Sequence, residues 1–173
     1  MSNFEAFLDS LPDYAKDIKL NAKSLLVTGG GSLSAKQLGI CAITSAITTK
    51  NANLIQLIED FFAPNLSAEE LFAARGCAAI MGMNNVYYRF LHLTSNQDYK
   101  VMQPGLRMSI IASHGIENKD FELAALAASA ITGCGLCVDS HEKKLKNEGF
   151  SGDAIQQAVK IAAVIHGLSC VNN

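Results

Sequence analysis

The sequence predicts an all-α protein, on the evidence of its composition, its helix-capping residues and its helical periodicity. Of its 173 residues, 49% are hydrophobic and only 7% are aromatic, and alanine, isoleucine and leucine are abundant. These residues favour closely packed helices, whereas sheets are enriched in valine, threonine and aromatic residues. A chain of this length can bury one sizeable core, so we expect residues 1–173 to form a single domain.

Helical segments separated by clear breaks fill the first half of the chain. Apolar residues recur at helical spacing in an N-terminal arm and in three later segments, 3–27, 34–48, 51–62 and 67–81. The arm has a break at 10–13, and the three glycines at 29–31 predict a loop because they cost too much backbone entropy within a helix. Ser67 and Glu70 have the capping-box spacing that opens the last segment, which residues 82–85 are expected to interrupt or kink.

The second half is predicted to contain a polar connection followed by helices on either side of two cysteines. Residues 94–105 are polar and include a Pro-Gly turn, after which 106–113 is expected to be helical. A turn at 114–118 precedes a helical pattern that runs up to Gly133, and a further helix covers 138–147.

An internal match suggests that the two halves are copies of one helical unit. Shifting the chain by 84 residues places 45–48 on 129–132 and Ser67 on Ser151. We therefore expect an N-terminal arm (1–33), a first unit (about 34–93) and a second, redox-active unit (about 118–173). In this alignment only the second unit carries the cysteine and histidine residues described below.

Charge and hydropathy argue against several classes of function. The net charge of −2 comes without a basic cluster, so nucleic acid is not an expected partner. Apolar runs such as 123–131 are shorter than the roughly 20 residues of a membrane span. Residues 1–5 lack the basic start of a signal peptide, and the glycine loop lacks the lysine of a phosphate-binding loop. We expect a cytoplasmic protein that does not associate with membranes.

Five cysteines are an odd number, which does not fit a complete set of secreted disulfides. Cys41, Cys77 and Cys170 lie in apolar runs and are predicted to be small buried side chains. One reactive dithiol in a reducing cytoplasm fits this pattern better than export.

The remaining two cysteines form a constellation with a histidine and a glutamate. Cys134 and Cys137 can close a small disulfide, and His141 lies one helical turn after Cys137. Cys134 is expected in the first turn of the new helix, where the helix dipole favours a thiolate. If the chain reverses at Gly133, two antiparallel helices bring Glu122 close to His141. The order Cys137, His141, Glu122 is then a possible path for a proton.

Three other interpretations of these residues remain open at this stage. A CxxC motif with a later histidine resembles zinc ligation, although a fourth ligand is missing. The two cysteines could form a purely structural disulfide, which a cytoplasmic location disfavours. His141 could also be a surface residue on the charged helix face of 142–148.

Beyond this constellation, the chain closely resembles the AhpD alkyl hydroperoxidase family, within the carboxymuconolactone decarboxylase-like superfamily. The resemblance extends over most of the chain and includes the segments 11–21, 79–86, 104–108 and 121–123 together with Glu-x11-Cys-x2-Cys-x3-His. It implies an AhpD-like helical fold and a homotrimer. It also implies an antioxidant peroxidase that works through a redox-active disulfide and needs no bound metal or cofactor.

The resemblance assigns a role to each residue of the constellation. Cys137 is the peroxidatic cysteine, which becomes a sulfenic acid, and Cys134 is the resolving cysteine and a proton donor. His141 and Glu122 form the proton relay. Leu136 stands where well-studied members often have a histidine, so a relay through that position is absent here.

The resemblance also implies partners. Electrons would come from a dihydrolipoamide group on a lipoylated acyltransferase, itself served by dihydrolipoamide dehydrogenase, and the protein would reduce the peroxiredoxin AhpC. The alternative function is a dithiol electron carrier with little peroxidase activity of its own. A decarboxylase would leave the dithiol unexplained.

Overall fold

The predicted all-α class is confirmed by a computed structural model that describes residues 1–171, a range without β-strands. The α-helices of this range are α1 (Asn3–Ser10), α2 (Lys16–Ala22), α3 (Ala35–Thr49), α4 (Ala52–Phe62), α5 (Ala68–Leu93), α6 (Asp98–Val101), α7 (Asn118–Thr132), α8 (Gly135–Asn147) and α9 (Gly152–Ser169). A short π-helix, Lys23–Val27, extends α2 and completes the N-terminal arm.

Serine caps explain where several of these helices begin. The hydroxyl groups of Ser2, Ser34, Ser67 and Ser151 each accept a bond from a backbone N–H in the first turn of the helix that follows. For α5 the predicted capping box is present, since Glu70 bonds back to the N–H of Ser67. Each such cap stabilises its helix by about 1 kcal/mol.

Two central helices, α3 and α7, form the middle of the core. Helix α3 packs against α4, α5, α7 and α9, and helix α7 packs against α3, α5, α8 and α9. All residues from 120 to 129 of α7 are buried. The four alanines among them keep the side chains small, so several helices can approach α7 closely. This arrangement explains the alanine-rich composition.

The glycine loop after the arm is fixed to α9 by one buried glutamine. Gln157 Oε1 accepts bonds from the backbone N–H groups of Ser32 (2.6 Å) and Leu33 (3.0 Å), and its Nε2 donates to Gly30 O (3.1 Å). A Cβ atom at Gly31 would overlap with this side chain, and Gly31 has a φ of +138°. Gly31 therefore permits a close approach between the loop and α9.

Two predictions about local structure are wrong. Helix α5 runs through 82–85 without interruption, because Asn85 is held by hydrogen bonds to α7 that compensate for its low helix propensity. The segment 106–113 forms only a 3₁₀ turn, Ser109–Ala112. A segment this short cannot offset the cost of helix nucleation by itself. Its Ile110 instead packs on α5, at a point where a Cβ on Gly76 would collide with it.

A membrane-spanning helix would need to be both long and apolar, and no helix within 1–171 meets both conditions.

Candidate active site

The chain reverses between α7 and α8, as the sequence predicts. Gly133 has a left-handed conformation (φ +70°), and the N–H groups of Gly133 and Cys134 bond to carbonyls of the last turn of α7. Helix α5 holds this turn from the side. Arg89 Nη1 donates to Thr132 O (2.5 Å) and Asn85 Nδ2 donates to Thr132 Oγ1 (2.9 Å). The position of α8 relative to α7 is therefore fixed where the dithiol begins.

Cys134 and Cys137 are joined by a disulfide, with their Cα atoms 5.3 Å apart. The prediction that Cys134 lies in the first helical turn is wrong by one residue, because Cys134 is the N-cap of α8 and has no capping hydrogen bond from its side chain. Cys137 is the third residue of the helix, within the turn whose N–H groups lack helical partners. The positive end of the helix dipole therefore acts on both sulfur atoms.

The two sulfur atoms differ in access. Cys134 is 0% exposed and Cys137 is 7% exposed. Cys137, but not Cys134, lines a cavity of about 380 Å³. A small molecule entering this cavity meets Cys137 first, so the two cysteines differ in their access to a substrate.

The wall of the cavity is mainly apolar, with polar groups gathered beside Cys137. Its apolar and aromatic lining comes from α5, the 3₁₀ turn and its flank, α7 and α8, namely Met81, Tyr88, Met108, Ile111, Phe121 and Leu136. Leu136 is 42% exposed. Asn84, also on the lining, is buried with no hydrogen-bond partner for its Oδ1. A cavity of this size and lining suits an organic molecule with a small polar group.

A buried carboxylate joins α7 to α8 beside the cavity. Glu122 is 2% exposed and His141 is 8% exposed, and Glu122 Oε2 lies 2.6 Å from His141 Nδ1. The other carboxylate oxygen, Oε1, accepts a bond from Lys144 Nζ at 2.8 Å. The structure thus brings Glu122 and His141 together and excludes the interpretation of His141 as a surface residue.

The carboxyl group of Glu122 is held in its ionised form. Burial by itself raises the pKa of Glu122, but hydrogen bonds from His141 and Lys144 outweigh burial, so the pKa lies below its usual value. An ionised carboxylate only accepts hydrogen bonds, so His141 Nδ1 carries the proton in this contact. In a neutral ring the second nitrogen, Nε2, then carries a free lone pair.

Sequence reasoning missed Lys144, which it placed on a solvated helix face. Its side chain is 48% exposed, yet Nζ reaches the buried carboxylate. The available signal was spacing, since Lys144 lies three residues after His141 on the same helix face. No local signal indicated Asn85 and Arg89, which act across the α5–α7 contact.

The three other cysteines lie outside the cavity lining. Cys41 and Cys77 are buried, as predicted, and burial raises the pKa of Cys41 to about 12 and that of Cys77 well above its usual value. The prediction of burial is wrong for Cys170, which is exposed because it follows the last turn of α9. Among residues 1–171, no group of three or more histidine, cysteine or acidic side chains is placed to hold a metal ion.

Comparison with known proteins identifies the family. Residues 102–172 match the model of the carboxymuconolactone decarboxylase family. The alkyl hydroperoxide reductase AhpD of Rhodospirillum centenum is 46% identical over 98% of this chain and 90% of its own length. The AhpD of Coxiella burnetii is 46% identical over 97% of this chain and 96% of its own. That of Solibacter usitatus is 44% identical, over 96% and 93%. The resemblance seen in the sequence is therefore confirmed, and the chain belongs to the AhpD family of alkyl hydroperoxide reductases.

Proposed function

We propose that this protein is an antioxidant thiol peroxidase that reduces alkyl hydroperoxides through a Cys134–Cys137 dithiol–disulfide cycle. The observation that carries the proposal is the position of Cys137, which forms the disulfide and also lines the cavity together with His141 and Glu122. The names of the relatives, alkyl hydroperoxide reductase, agree with this chemistry.

The first half of the cycle oxidises Cys137. His141 Nε2 takes the proton of the Cys137 thiol, and the thiolate attacks the terminal oxygen of the hydroperoxide. The O–O bond breaks, Cys137 becomes a sulfenic acid, and the alkoxide leaves as an alcohol after taking the proton held by His141. Glu122 orients the histidine ring and balances its positive charge while it holds the proton.

The second half forms the disulfide. Cys134 attacks the sulfenic sulfur of Cys137, the S–O bond breaks, and the hydroxide takes the Cys134 proton and leaves as water. Two thiols and one hydroperoxide thus give one disulfide, one alcohol and one water. Burial of Cys134 suits this second role, since it needs to reach only Cys137 and not an external substrate.

The disulfide must then receive two electrons and two protons from another dithiol. The donor in our proposal is dihydrolipoamide on a lipoylated acyltransferase, regenerated by dihydrolipoamide dehydrogenase, and the reduced protein also passes electrons to the peroxiredoxin AhpC. No bound cofactor takes part in this scheme. A reducing cytoplasm is the compartment where such a cycle operates, which agrees with the unpaired cysteines Cys41, Cys77 and Cys170.

A homotrimer is the assembly we propose. Support comes from large apolar side chains that are exposed on the outer side of α5 and on the segment after it, including Val86, Leu93, Val101 and Met102. Apolar surface of this kind marks an interaction site when it is contiguous. Sedimentation equilibrium measures the assembly directly.

The second candidate function is a dithiol electron carrier with little peroxidase activity of its own. The observation that favours it is Leu136, a partly exposed apolar residue on the cavity lining, at a position where a histidine would add a proton donor. Both functions use the same disulfide. In the peroxidase the reduced dithiol reacts with a hydroperoxide, whereas in the electron carrier it reduces the disulfide of a partner protein.

Steady-state turnover of cumene hydroperoxide with dihydrolipoamide separates these functions. We expect turnover by the protein alone, and its loss in Cys137→Ser, with Cys170→Ser as a control that removes an exposed thiol outside the cavity. Turnover that appears only after a peroxiredoxin is added indicates the electron carrier. Full activity of Cys137→Ser would overturn both proposals.

A further inference from the structure

The second oxygen of the Glu122 carboxylate has a partner that the peroxidase cycle does not use. Oε2 faces His141 Nδ1, and Oε1 accepts a bond from Lys144 Nζ at 2.8 Å. Lys144 and His141 both lie on α8, three residues apart, and both line the cavity of Cys137. One buried carboxylate is therefore shared between an imidazole ring and an ammonium group.

The protonation state of Glu122 decides which nitrogen of His141 is free. With an ionised carboxylate, Nδ1 carries the proton and Nε2 can accept one from the Cys137 thiol. If Glu122 is protonated, its O–H donates to Nδ1, and a neutral ring must carry its proton on Nε2. A ring in that tautomer cannot deprotonate Cys137.

We propose that Lys144 is a positioning residue that keeps Glu122 ionised and so holds His141 in the tautomer whose Nε2 can accept a proton. The inference rests on the proposed role of His141 as the base for Cys137. An ammonium group 2.8 Å from Oε1 stabilises the carboxylate when the ring is neutral, which is the state in which the carboxylate would otherwise gain a proton.

Other ionisable groups near Glu122 do not replace Lys144. Helix α5 contributes the buried thiol of Cys77 and the phenol of Tyr88, neither of which is a cation at neutral pH. Asp120 of α7 bonds to Lys36 and Gln37 of α3, and Arg89 of α5 bonds to Thr132 O. The remaining charged side chains of the adjoining helices α8 and α9 are exposed or partly exposed, namely Asp139, Glu142, Lys143, Lys146, Asp153, Lys160 and His166.

The test is the pH profile of the reaction between reduced protein and cumene hydroperoxide in a single turnover. In Lys144→Gln the pKa of Glu122 rises and the acidic limb moves to higher pH. At pH values below this limb the rate falls by about tenfold if the pKa rises by one, whereas near pH 8.5 it is almost unchanged. Lys144→Arg restores the original profile because it restores the charge. Lys143→Gln is the matched control, since it removes the same charge from the adjacent exposed position. A profile of Lys144→Gln that coincides with the unmodified protein, or falls equally at every pH, overturns the inference.

A second measurement does not depend on peroxidase activity, and its first result needs no variant. Nitrogen-15 NMR of His141 in the disulfide form reports which ring nitrogen carries the proton. We expect the Nδ1–H tautomer in the unmodified protein and an increased share of Nε2–H in Lys144→Gln. A predominant Nε2–H tautomer in the unmodified protein contradicts the inference about Lys144. Retained turnover in Cys137→Ser, by contrast, contradicts the proposed function and leaves the tautomer result standing.

Discussion

Two helix pairs of this molecule, α3–α4 and α7–α8, have the same backbone plan and different contents. In each pair a 15-residue helix ends in a residue with left-handed backbone, Lys50 (φ +63°) or Gly133 (φ +70°). The second helix then begins two residues later, at Ala52 or Gly135. This likeness supports the proposed duplication, with a separation of 83 residues at the turns. At the later caps, Ser67 and Ser151, the separation is the 84 residues of the ungapped sequence match.

The residues at matching positions explain why only one pair carries chemistry. Asn51 and Cys134 are both N-caps, and Asn51 Oδ1 accepts a bond from the N–H of Leu54. Where the second pair has Cys137 and His141, the first has Leu54 and Ile58, both buried in the core. The turn is thus a scaffold common to both, and the functional difference comes from a few side chains on it.

The surroundings of the second helix differ as well. Helix α4 is covered by α1, where the rings of Phe4 and Phe61 lie 5.3 Å apart between centroids. Helix α8 packs on α7 and α5 and leaves the cavity at Cys137 open. The N-terminal arm thus packs on the second helix of the first pair, whereas the second helix of the second pair borders the Cys137 cavity.

Apart from the loss of Cys137 itself, the largest effect we expect from a single change in the second pair is that of Glu122→Gln. The variant keeps the shape of the side chain but removes the charge that orients His141, so the rate of reaction with hydroperoxide falls about 100-fold, within the usual range for general acid–base catalysis. Stopped-flow kinetics of the reduced protein measure it. An unchanged rate would show that the buried carboxylate contributes to structure alone.

The matching change in the first pair is Leu54→Ala. It removes a buried side chain from the core and is expected to lower the free energy of unfolding by about 2–5 kcal/mol. The hydroperoxide rate per folded molecule stays the same, since Leu54 lies outside the lining of the Cys137 cavity. Urea denaturation and stopped-flow kinetics together test this, and a large loss of rate in the folded variant would contradict the division of roles.

A smaller effect is expected on the stability of the protein at acidic pH, to which Glu122 of the second pair contributes. The pKa of Glu122 is lowered in the folded protein, so its ionised form stabilises the fold above its ordinary pKa of about 4.5. This contribution is lost as the pH falls through the folded value. Thermal unfolding between pH 6 and pH 3 should therefore depend less steeply on pH in Glu122→Gln than in the unmodified protein. Equal slopes would contradict an ionised Glu122.

The smallest effect concerns the turn itself. Lys50 is a residue other than glycine with positive φ, at the position where the second pair has Gly133. Lys50→Gly removes a strain of roughly 1–2 kcal/mol, part of which is offset by the greater freedom of glycine in the unfolded chain. We expect a net gain of about 0.5–1 kcal/mol in the free energy of unfolding. A loss of stability would mean that the Lys50 side chain makes a compensating contact.

The sequence was sufficient for features that depend on neighbouring residues. The cap at Ser67, the reversal at Gly133 and the meeting of Glu122 with His141 all follow from spacing along one or two helices. Features that depend on distant segments were missed or mispredicted. The continuity of α5 depends on hydrogen bonds between Asn85 and α7, and the 3₁₀ turn around Ile110 is tied to packing beside Gly76. Periodicity carries no information about such contacts.

The role of Lys144 also could not be predicted from the sequence, although Lys144 lies on the same helix as His141. Its spacing from His141 was visible, but its charged neighbours made a solvated face the simpler interpretation. Only the position of α7 shows that Lys144 Nζ reaches a buried carboxylate. The cavity also could not be predicted, because its lining comes from segments that are far apart in sequence.

The central claim is that Cys134 and Cys137 form the redox centre and that Cys137 reacts first. Peptide mass spectrometry after one equivalent of cumene hydroperoxide tests it most directly. In the reduced protein we predict a loss of about 2 Da, from thiol-to-disulfide condensation, on the peptide that holds both cysteines. In Cys134→Asn, which copies Asn51 of the first pair, we predict a sulfenic acid at Cys137 that a dimedone probe captures. A sulfenic acid at Cys170, or none at Cys137, would contradict the account.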